Sequence, residues 1–184
     1  MKILTGSLRG KTIAFRPNPK LRPTGGKARK AMFDMLQGAL EGKSTLDLFS
    51  GTGALGFEAL SQGAERTVFV ESNRNQCQSV ARNLESLGLS DRGEVLCLDA
   101  VSAIRTLDRR NVYFDFVFMD PPYEKGLGRE ALEALAASSL VHEGSLIFFE
   151  ERKNEKKFNV PGNLKEVKSK DYGDTRIRVY SKTG

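Results

Sequence analysis

Short apolar segments and amphipathic segments alternate along the chain from residue 44 onward. The apolar segments predict strands at residues 44–49, 66–71, 94–98, 115–119 and 145–150. The segments between them repeat apolar side chains at helical spacing and predict helices at residues 54–62, 73–87, 101–107 and 129–137. Because strand–helix alternation builds βαβ units, we expect an α/β fold with a parallel sheet and helices on both faces.

Both ends of the chain depart from this alternation. Residues 165–170 and 175–181 predict a closing antiparallel pair of strands, and residues 2–8 and 11–15 predict a β-hairpin. Residues 16–26 predict a loop because they contain three prolines and two glycines. Apolar residues between Ala28 and Leu40 then predict an amphipathic helix, whose polar face carries Lys27, Arg29, Lys30 and Asp34. We therefore expect an N-terminal extension, residues 1–26, and an α/β domain, residues 27–184.

Positive charge is concentrated in the first part of the chain. Residues 1–33 contain nine Lys or Arg and no Asp or Glu, whereas the other 20 basic residues face all 23 acids. A one-sided basic segment of this length favours a polyanionic partner, with a solvated basic arm as the alternative.

Several other classes of protein do not fit the sequence. No apolar segment is long enough to span a bilayer and the N-terminus lacks a signal-peptide core, so we expect a cytoplasmic protein without membrane contacts. The two cysteines, Cys77 and Cys97, are too few and too far apart to indicate zinc, and we expect no metal. We interpret both cysteines as small buried residues.

A glycine-rich loop follows the first predicted strand. Gly51, Gly53 and Gly56 have the spacing G-x-G-x-x-G, and Glu71 ends the second strand 20 residues after Gly51. Such glycines let the backbone approach a ligand closely, and the acidic residue accepts hydrogen bonds from ribose hydroxyls. The loop therefore predicts an adenosine-containing cofactor, with a simple tight turn as the alternative.

Asp47 favours one of two adenosine cofactors. NAD would place its pyrophosphate at the helix N-terminus, where a carboxylate would repel it. S-adenosylmethionine has no phosphate and carries an ammonium and a sulfonium, which a carboxylate complements. We therefore expect S-adenosylmethionine, and assign its binding to Asp47, Phe49, Ser50, Gly51, Gly53, Glu71, Ser72, Asp99 and Ala100.

Asp99 follows the third predicted strand and has two interpretations. Ligands of open α/β sheets lie beyond the carboxyl ends of the strands, which places Asp99 to bind the adenine amino group. Asp99 is equally suited to cap the helix that begins at Val101. The sequence leaves both roles open.

The tetrapeptide Asp120-Pro121-Pro122-Tyr123 follows the fourth predicted strand and is the most specific motif in the chain. An exocyclic amine is hard to methylate because its lone pair is conjugated with the ring. Hydrogen bonds from the amine to the Asp120 carboxylate and the Pro121 carbonyl would favour a tetrahedral nitrogen. The prolines fix the backbone and remove N–H donors, and Tyr123 would stack on a base taken out of its helix. We predict that these four residues are catalytic, with a proline-rich turn as the alternative.

Together these motifs resemble known families. The pair Asp47-x-Phe49-x-Gly51-x-Gly53 and Asp120-Pro121-Pro122-Tyr123 resembles the amino-methyltransferases of nucleic acids. Three further motifs resemble the RsmD family, bacterial 16S ribosomal RNA guanine-N2 methyltransferases: Gly6-x-x-Arg9-Gly10-Lys11, Leu21-Arg22-Pro23-Thr24 leading into residues 28–33, and Tyr172-Gly173-Asp174-Thr175. The chain departs from the family at Gly25-Gly26-Lys27, where an acidic and then a basic residue are usual, and at Lys30, where Glu is frequent.

This resemblance covers residues 2–180 and has several implications. It implies a Rossmann-like S-adenosylmethionine-dependent methyltransferase fold with a mostly parallel seven-stranded sheet and an N-terminal β-hairpin extension. It also implies methyl transfer to the N2 amine of a guanine in 16S ribosomal RNA, either free or within a 30S assembly particle. We expect a monomer whose hairpin and basic helix contact RNA through Arg9, Lys11, Arg22, Lys27, Arg29 and Lys30.

Four other functions compete with this one. A DNA adenine-N6 methyltransferase shares the tetrapeptide, but needs a further domain to read duplex sequence. A protein-glutamine methyltransferase does not explain the basic arm. An NAD-dependent oxidoreductase leaves Asp47 and the tetrapeptide unexplained, and a non-catalytic RNA-binding module would be expected to lack Asp120.

Overall fold

A computed structural model describes residues 1–15, 26–122, 126–155 and 158–183 of the chain. These residues form five helices and seven strands. In chain order the elements are α1 (Gly26–Met35), β1 (Ser44–Leu48), α2 (Ala54–Ser61), β2 (Arg66–Val70), α3 (Arg74–Ser86), β3 (Gly93–Leu96), α4 (Ala100–Asp108), β4 (Phe116–Met119), α5 (Leu127–Ala137), β5 (Leu146–Arg152), β6 (Leu164–Tyr172) and β7 (Thr175–Lys182). The loop predicted at residues 16–26 lies outside the described residues, except for Gly26, which begins α1.

The seven strands form one sheet in the order β3-β2-β1-β4-β5-β7-β6. Strands β1 to β5 run parallel, and β7 pairs antiparallel with both β5 and β6. The predicted α/β fold and the closing antiparallel pair are therefore confirmed. Strand order reverses at β1, which has β2 on one side and β4 on the other. Open α/β sheets bind ligands at this point, beyond the carboxyl ends of the strands.

Apolar side chains cover both faces of the sheet. One face packs against α4 and α5, and the other against α1 and α2. Strand β1 is buried on both faces from Thr45 to Leu48, as expected for a central strand of a parallel sheet covered on both sides. Asp47 is the charged exception in β1, with only 1% of its surface exposed. A carboxyl is rarely buried to this extent without a partner or a function.

Residues 1–15 pack along α2 and α3 and form a short hairpin, with an antiparallel bridge between Lys2 and Thr12. The Ile3 N–H donates to the Lys11 carbonyl at 3.0 Å, and the Ile13 N–H donates to the Met1 carbonyl at 2.7 Å. Side chains of the helices bind further backbone groups of this segment. Asn83 accepts a hydrogen bond from the Ala14 N–H at 3.0 Å and donates one to the Ala14 carbonyl at 2.7 Å. The predicted strands, residues 2–8 and 11–15, are therefore shortened to the residues around this bridge.

Arg29 is buried, which corrects its predicted position on the polar face of α1. Its side chain is packed against Glu58, with Nε 3.6 Å from Oε1, and it donates to the Lys2 carbonyl at 3.2 Å. Glu58 also accepts the backbone N–H groups of Leu4 and Thr5 at 2.7 and 3.1 Å. Burial lowers the pKa of Arg29, although the Glu58 charge opposes that shift. Arg29 therefore anchors the N-terminal segment instead of facing solvent.

Candidate cofactor site and catalytic motif

The loop between β1 and α2 has the backbone geometry that its glycines predicted. Phe49 leaves β1 with a φ of 63°, a left-handed conformation that is uncommon outside glycine and recurs at functional sites. Gly53 has a φ of 80° at the start of α2. Gly56 faces the Phe69 ring so closely that no Cβ would fit between them. The first turn of α2 therefore packs tightly against β2.

Glu71 connects this loop to the start of α3. Its carboxylate accepts the Gly51 N–H at 2.8 Å through Oε2 and the Asn73 N–H at 2.7 Å through Oε1. Glu71 follows directly after β2, and Ser72 beside it is exposed. The structure thus brings together the glycine loop and the predicted ribose acid.

Ser50 provides an observation that points to a ligand. Its hydroxyl oxygen is buried within the glycine loop and has no hydrogen-bond partner among the described residues. Buried polar atoms in folded proteins are nearly always paired with protein or water. The cofactor's amino-acid end carries carboxylate and ammonium groups that would pair with this hydroxyl, so the loop fits the cofactor that the sequence predicted.

Asp47 lies beneath the loop with an altered acidity. Oδ2 accepts the Gly56 N–H at 2.8 Å, which attaches the strand to α2. Burial raises the pKa of Asp47 to about 8, the Gly56 hydrogen bond opposes the shift, and the charges of Asp120 and Glu71 add to it. Three carboxyl groups therefore act electrostatically on one another at this sheet edge. A cation bound among them would be stabilised.

Asp99 has the capping role that the sequence left open. Its side chain accepts the Ser102 N–H at 2.9 Å and caps α4, which begins at the buried Ala100. Hydrogen bonds from Ser102 lower the pKa of Asp99. Asp99 is also exposed at the carboxyl end of β3, which is the position predicted for binding the adenine amino group.

Asp120 follows β4 directly and therefore lies at the carboxyl ends of the parallel strands, on the same side of the sheet as the glycine loop. Its side chain is half-buried, Pro121 is buried and Pro122 is exposed, whereas Tyr123 lies outside the described residues. Gly128 of α5 faces Pro121, where an added Cβ would come within 2.6 Å of the proline ring. Gly128 was not among the predicted site residues, although a glycine in the first turn of an otherwise apolar and charged helix indicates close packing at that position.

The predicted RNA-binding residues fall into three groups. Arg9, Lys11, Lys27 and Lys30 are exposed, although Lys30 pairs with Asp34 at 2.7 Å. Arg29 is buried and Arg22 lies outside the described residues. The cations that remain available come from two segments, the residues around the Lys2–Thr12 bridge and the first turn of α1.

The described ranges contain neither a candidate metal site nor a candidate membrane-spanning helix. No group of three or more His, Cys, Asp or Glu residues in them could hold a metal ion. None of the helices formed by these residues is long and apolar enough to cross a membrane.

The sheet order, the glycine loop and the acids at the strand ends define an α/β methyltransferase fold. Comparison with known proteins shows to which family of methyltransferases the chain belongs. The family model described as "Conserved hypothetical protein 95" matches residues 1–181, and the chain belongs to this family, the RsmD family of methyltransferases.

Relatives and solved structures match the chain over its whole length. "Putative rRNA methyltransferase YlbH" of Bacillus subtilis (strain 168) is 30% identical over 184 residues, which is 100% of both chains. "Ribosomal RNA small subunit methyltransferase D" of Haemophilus influenzae is 30% identical and covers 98% of this chain and 93% of its own. A solved structure, "Putative methyltransferase yhhF from Escherichia coli", superposes with a TM-score of 0.86 at 29% identity, covering 100% of this chain and 98% of its own.

Proposed function

We propose that this protein transfers a methyl group from S-adenosylmethionine to the exocyclic N2 amine of a guanine in small-subunit (16S) ribosomal RNA. The observation that carries the proposal is the position of Asp120-Pro121-Pro122 at the end of β4, beside the glycine loop and within electrostatic reach of Asp47. The names of the full-length relatives support ribosomal RNA as the substrate, and one of them specifies the small subunit.

The cofactor is assigned to the carboxyl ends of β1, β2 and β3. In this proposal Glu71 accepts hydrogen bonds from the ribose hydroxyls, Asp99 accepts one from the adenine amino group, and the unpartnered Ser50 hydroxyl pairs with the amino-acid end. S-adenosylmethionine supplies the methyl group from its sulfonium. The negative potential of Asp47 and Glu71 holds that cation at the switch point of the sheet.

Catalysis is assigned to the end of β4. The Asp120 carboxylate accepts one hydrogen of the guanine amine and the Pro121 carbonyl accepts the other, which favours a tetrahedral nitrogen directed at the methyl group. Pro121 is held in place by burial against Gly128. Positioning of this kind supplies much of the rate, and the released amine proton passes to water.

The basic residues before the catalytic domain are assigned to the RNA. We propose that residues 1–26 form the RNA-contacting extension and residues 27–184 the methyltransferase domain of a cytoplasmic monomer. Residues 1–15 are fixed to α2 and α3 by Glu58 and Asn83, so their cations are held in a defined position.

The test is mass spectrometry of nucleosides after reaction of the purified protein with S-adenosylmethionine carrying a deuterated methyl group. Free 16S ribosomal RNA, 30S particles and duplex DNA are offered as separate substrates. We expect labelled N2-methylguanosine from ribosomal RNA in one or both forms. Labelled N6-methyladenine from DNA, with unlabelled RNA, would instead support the DNA methyltransferase.

Glu71→Gln is expected to weaken S-adenosylmethionine binding by about 1–3 kcal/mol, because a charged acceptor of the ribose hydroxyls is lost. The amide keeps one oxygen to hold Gly51 or Asn73, so the loop should still fold. Isothermal titration calorimetry measures the change. Glu85→Gln, on the exposed side of α3, is the matched control. Equal affinities of both variants would show that Glu71 only supports the loop.

Replacing Arg9, Lys11 and Lys27 with Gln is expected to weaken RNA binding and reduce its dependence on salt. Phosphate contacts release counterions, so each lost contact should flatten the slope of log affinity against log salt by about 0.7–0.9. Fluorescence anisotropy with a 16S fragment at several salt concentrations gives the slopes. Affinity for S-adenosylmethionine should not change, since the glycine loop and Glu71 remain.

A triple variant at the other side of the domain controls for the loss of net charge. Arg66 begins β2, and Arg105 and Arg109 lie at the end of α4, all exposed and away from the carboxyl ends of the strands. Their replacement by Gln removes the same charge. If this control flattens the slope as much as the first variant, binding follows net charge and the extension has no special role.

A further inference from the structure

The two cysteines meet beside the proposed cofactor site. Cys77 lies in the first turn of α3, and Cys97 follows directly after β3. Their sulfur atoms are 2.7 Å apart, compared with about 2.05 Å in a disulfide bond. A small displacement would therefore join two residues that are 20 positions apart in the sequence.

These cysteines differ in their surroundings, which corrects the expectation that both are buried. Cys77 is buried, whereas Cys97 is exposed to solvent. Burial, more than the contact with Cys97, raises the pKa of Cys77 to about 12, so it remains a protonated thiol. An exposed thiol beside a buried one forms a pair in which Cys97 meets an oxidant first and Cys77 resolves the product.

We propose that Cys77 and Cys97 form a reversible disulfide that weakens binding of S-adenosylmethionine. The oxidant is a hydroperoxide, and the reductant is a small thiol or dithiol protein. The disulfide itself depends only on the two cysteines, and its effect on the cofactor rests on the proposed function. Disulfides in the cytosol of mesophiles are usually transient and redox-sensing, which suits an exposed and reducible pair.

The disulfide forms in two steps. The Cys97 sulfur attacks hydrogen peroxide, an S–O bond forms as the O–O bond breaks, and the displaced oxygen leaves as water with the thiol proton. The Cys77 thiol then transfers its proton to the sulfenic acid oxygen as its sulfur attacks the Cys97 sulfur, so that the S–S bond replaces the S–O bond and the oxygen leaves as water. Two thiols are oxidised and one peroxide is reduced to two molecules of water.

The geometry explains why the disulfide would affect the cofactor. The Cys77 thiol donates a hydrogen bond to the Glu71 carbonyl at 3.1 Å, and oxidation removes that donor. Cys97 lies two residues before Asp99, the cap of α4 and the proposed adenine contact. A disulfide would therefore tie the first turn of α3, whose Cys77 contacts Glu71, to the end of β3, which leads to Asp99. Because coupling is reciprocal, bound cofactor would oppose oxidation by the same factor.

The first experiment tests the disulfide itself by mass spectrometry of the full chain after treatment with stoichiometric hydrogen peroxide. We expect a loss of two hydrogens, a peptide pair linked through Cys77 and Cys97, and full reversal by dithiothreitol. Cys97→Ser, a change at an exposed position, should give no such product. A disulfide between two chains, or sulfinic acid on Cys97 without a linked pair, would overturn the proposal.

A second experiment tests the coupling by calorimetry with S-adenosylmethionine. The oxidised protein should bind several-fold more weakly than the reduced protein, and dithiothreitol should restore the affinity. Peroxide-treated Cys97→Ser should retain the affinity of its untreated form. Equal affinity of the oxidised and reduced wild-type protein would overturn the coupling. A reduced protein that binds no cofactor but forms the linked pair would overturn the proposed function and support the disulfide.

Discussion

Replacing Asp120 with asparagine is expected to lower the rate of methyl transfer by about 10²–10³-fold, the usual loss when one group that stabilises the transition state is removed. Asparagine keeps the shape of the side chain but replaces the charged acceptor of the amine hydrogen with a neutral amide. Cofactor affinity should change much less, since the glycine loop and Glu71 are untouched. Single-turnover methylation of 16S ribosomal RNA, with calorimetry of S-adenosylmethionine, separates the two effects.

Asp91→Asn is the matched control for this experiment. Asp91 is exposed in the turn before β3 and lies outside the proposed site, so its variant should methylate at the wild-type rate. A turnover of Asp120→Asn close to that of the control would show that the chemistry occurs elsewhere. A parallel loss of cofactor affinity and rate would move Asp120 from catalysis to cofactor binding.

Replacing Asp47 with asparagine is expected to change cofactor binding and stability in opposite directions. The variant loses a charged partner of the cationic cofactor, so affinity should fall by about 1.5–3 kcal/mol, the range for hydrogen bonds to charged groups. The amide oxygen can still accept the Gly56 N–H, which preserves the attachment of β1 to α2. Ligand-free protein should become more stable above about pH 8, because no buried charge remains.

The pH dependence follows from the raised pKa of Asp47. Its pKa is about 8 in the folded protein, compared with about 3.9 in an unfolded chain, so the folded state holds a proton that the unfolded state releases between these values. The stability that Asp47 contributes is therefore complete below about pH 4 and is lost as the pH rises to about 8. A bound cation favours the ionised carboxylate, so cofactor binding releases a proton and strengthens up to about pH 8.

Thermal unfolding and calorimetry across this pH range measure both effects. The ammonium group of the cofactor also titrates near pH 8, so the difference between wild type and Asp47→Asn gives the contribution of Asp47. We expect that difference in affinity to grow with pH and then become constant. Parallel binding curves for the two proteins would show that Asp47 stays protonated and serves only to hold Gly56.

The central sheet and the position of the proposed site follow from local patterns in the sequence. Apolar strands that alternate with amphipathic helices have one stable arrangement, a parallel sheet covered on both faces, so the strands from β1 to β5 were predicted within a few residues. The spacing between Gly51 and Glu71 predicted their proximity because both lie at carboxyl ends of adjacent parallel strands. Each of these motifs is short and directly follows a strand. The parallel order of the strands then brings the motifs together at one end of the sheet.

The burial of charged residues and the contact between the two cysteines depend on tertiary packing. Arg29 has the same local pattern as its exposed neighbours Lys27 and Lys30, and becomes buried because residues 1–5 and Glu58 cover that side of α1. Cys77 and Cys97 belong to a helix and to a strand end whose contact depends on how α3 crosses the sheet. Such burial and such contacts between side chains arise from segments that are far apart in the chain. The pattern of apolar residues within one segment therefore cannot predict them.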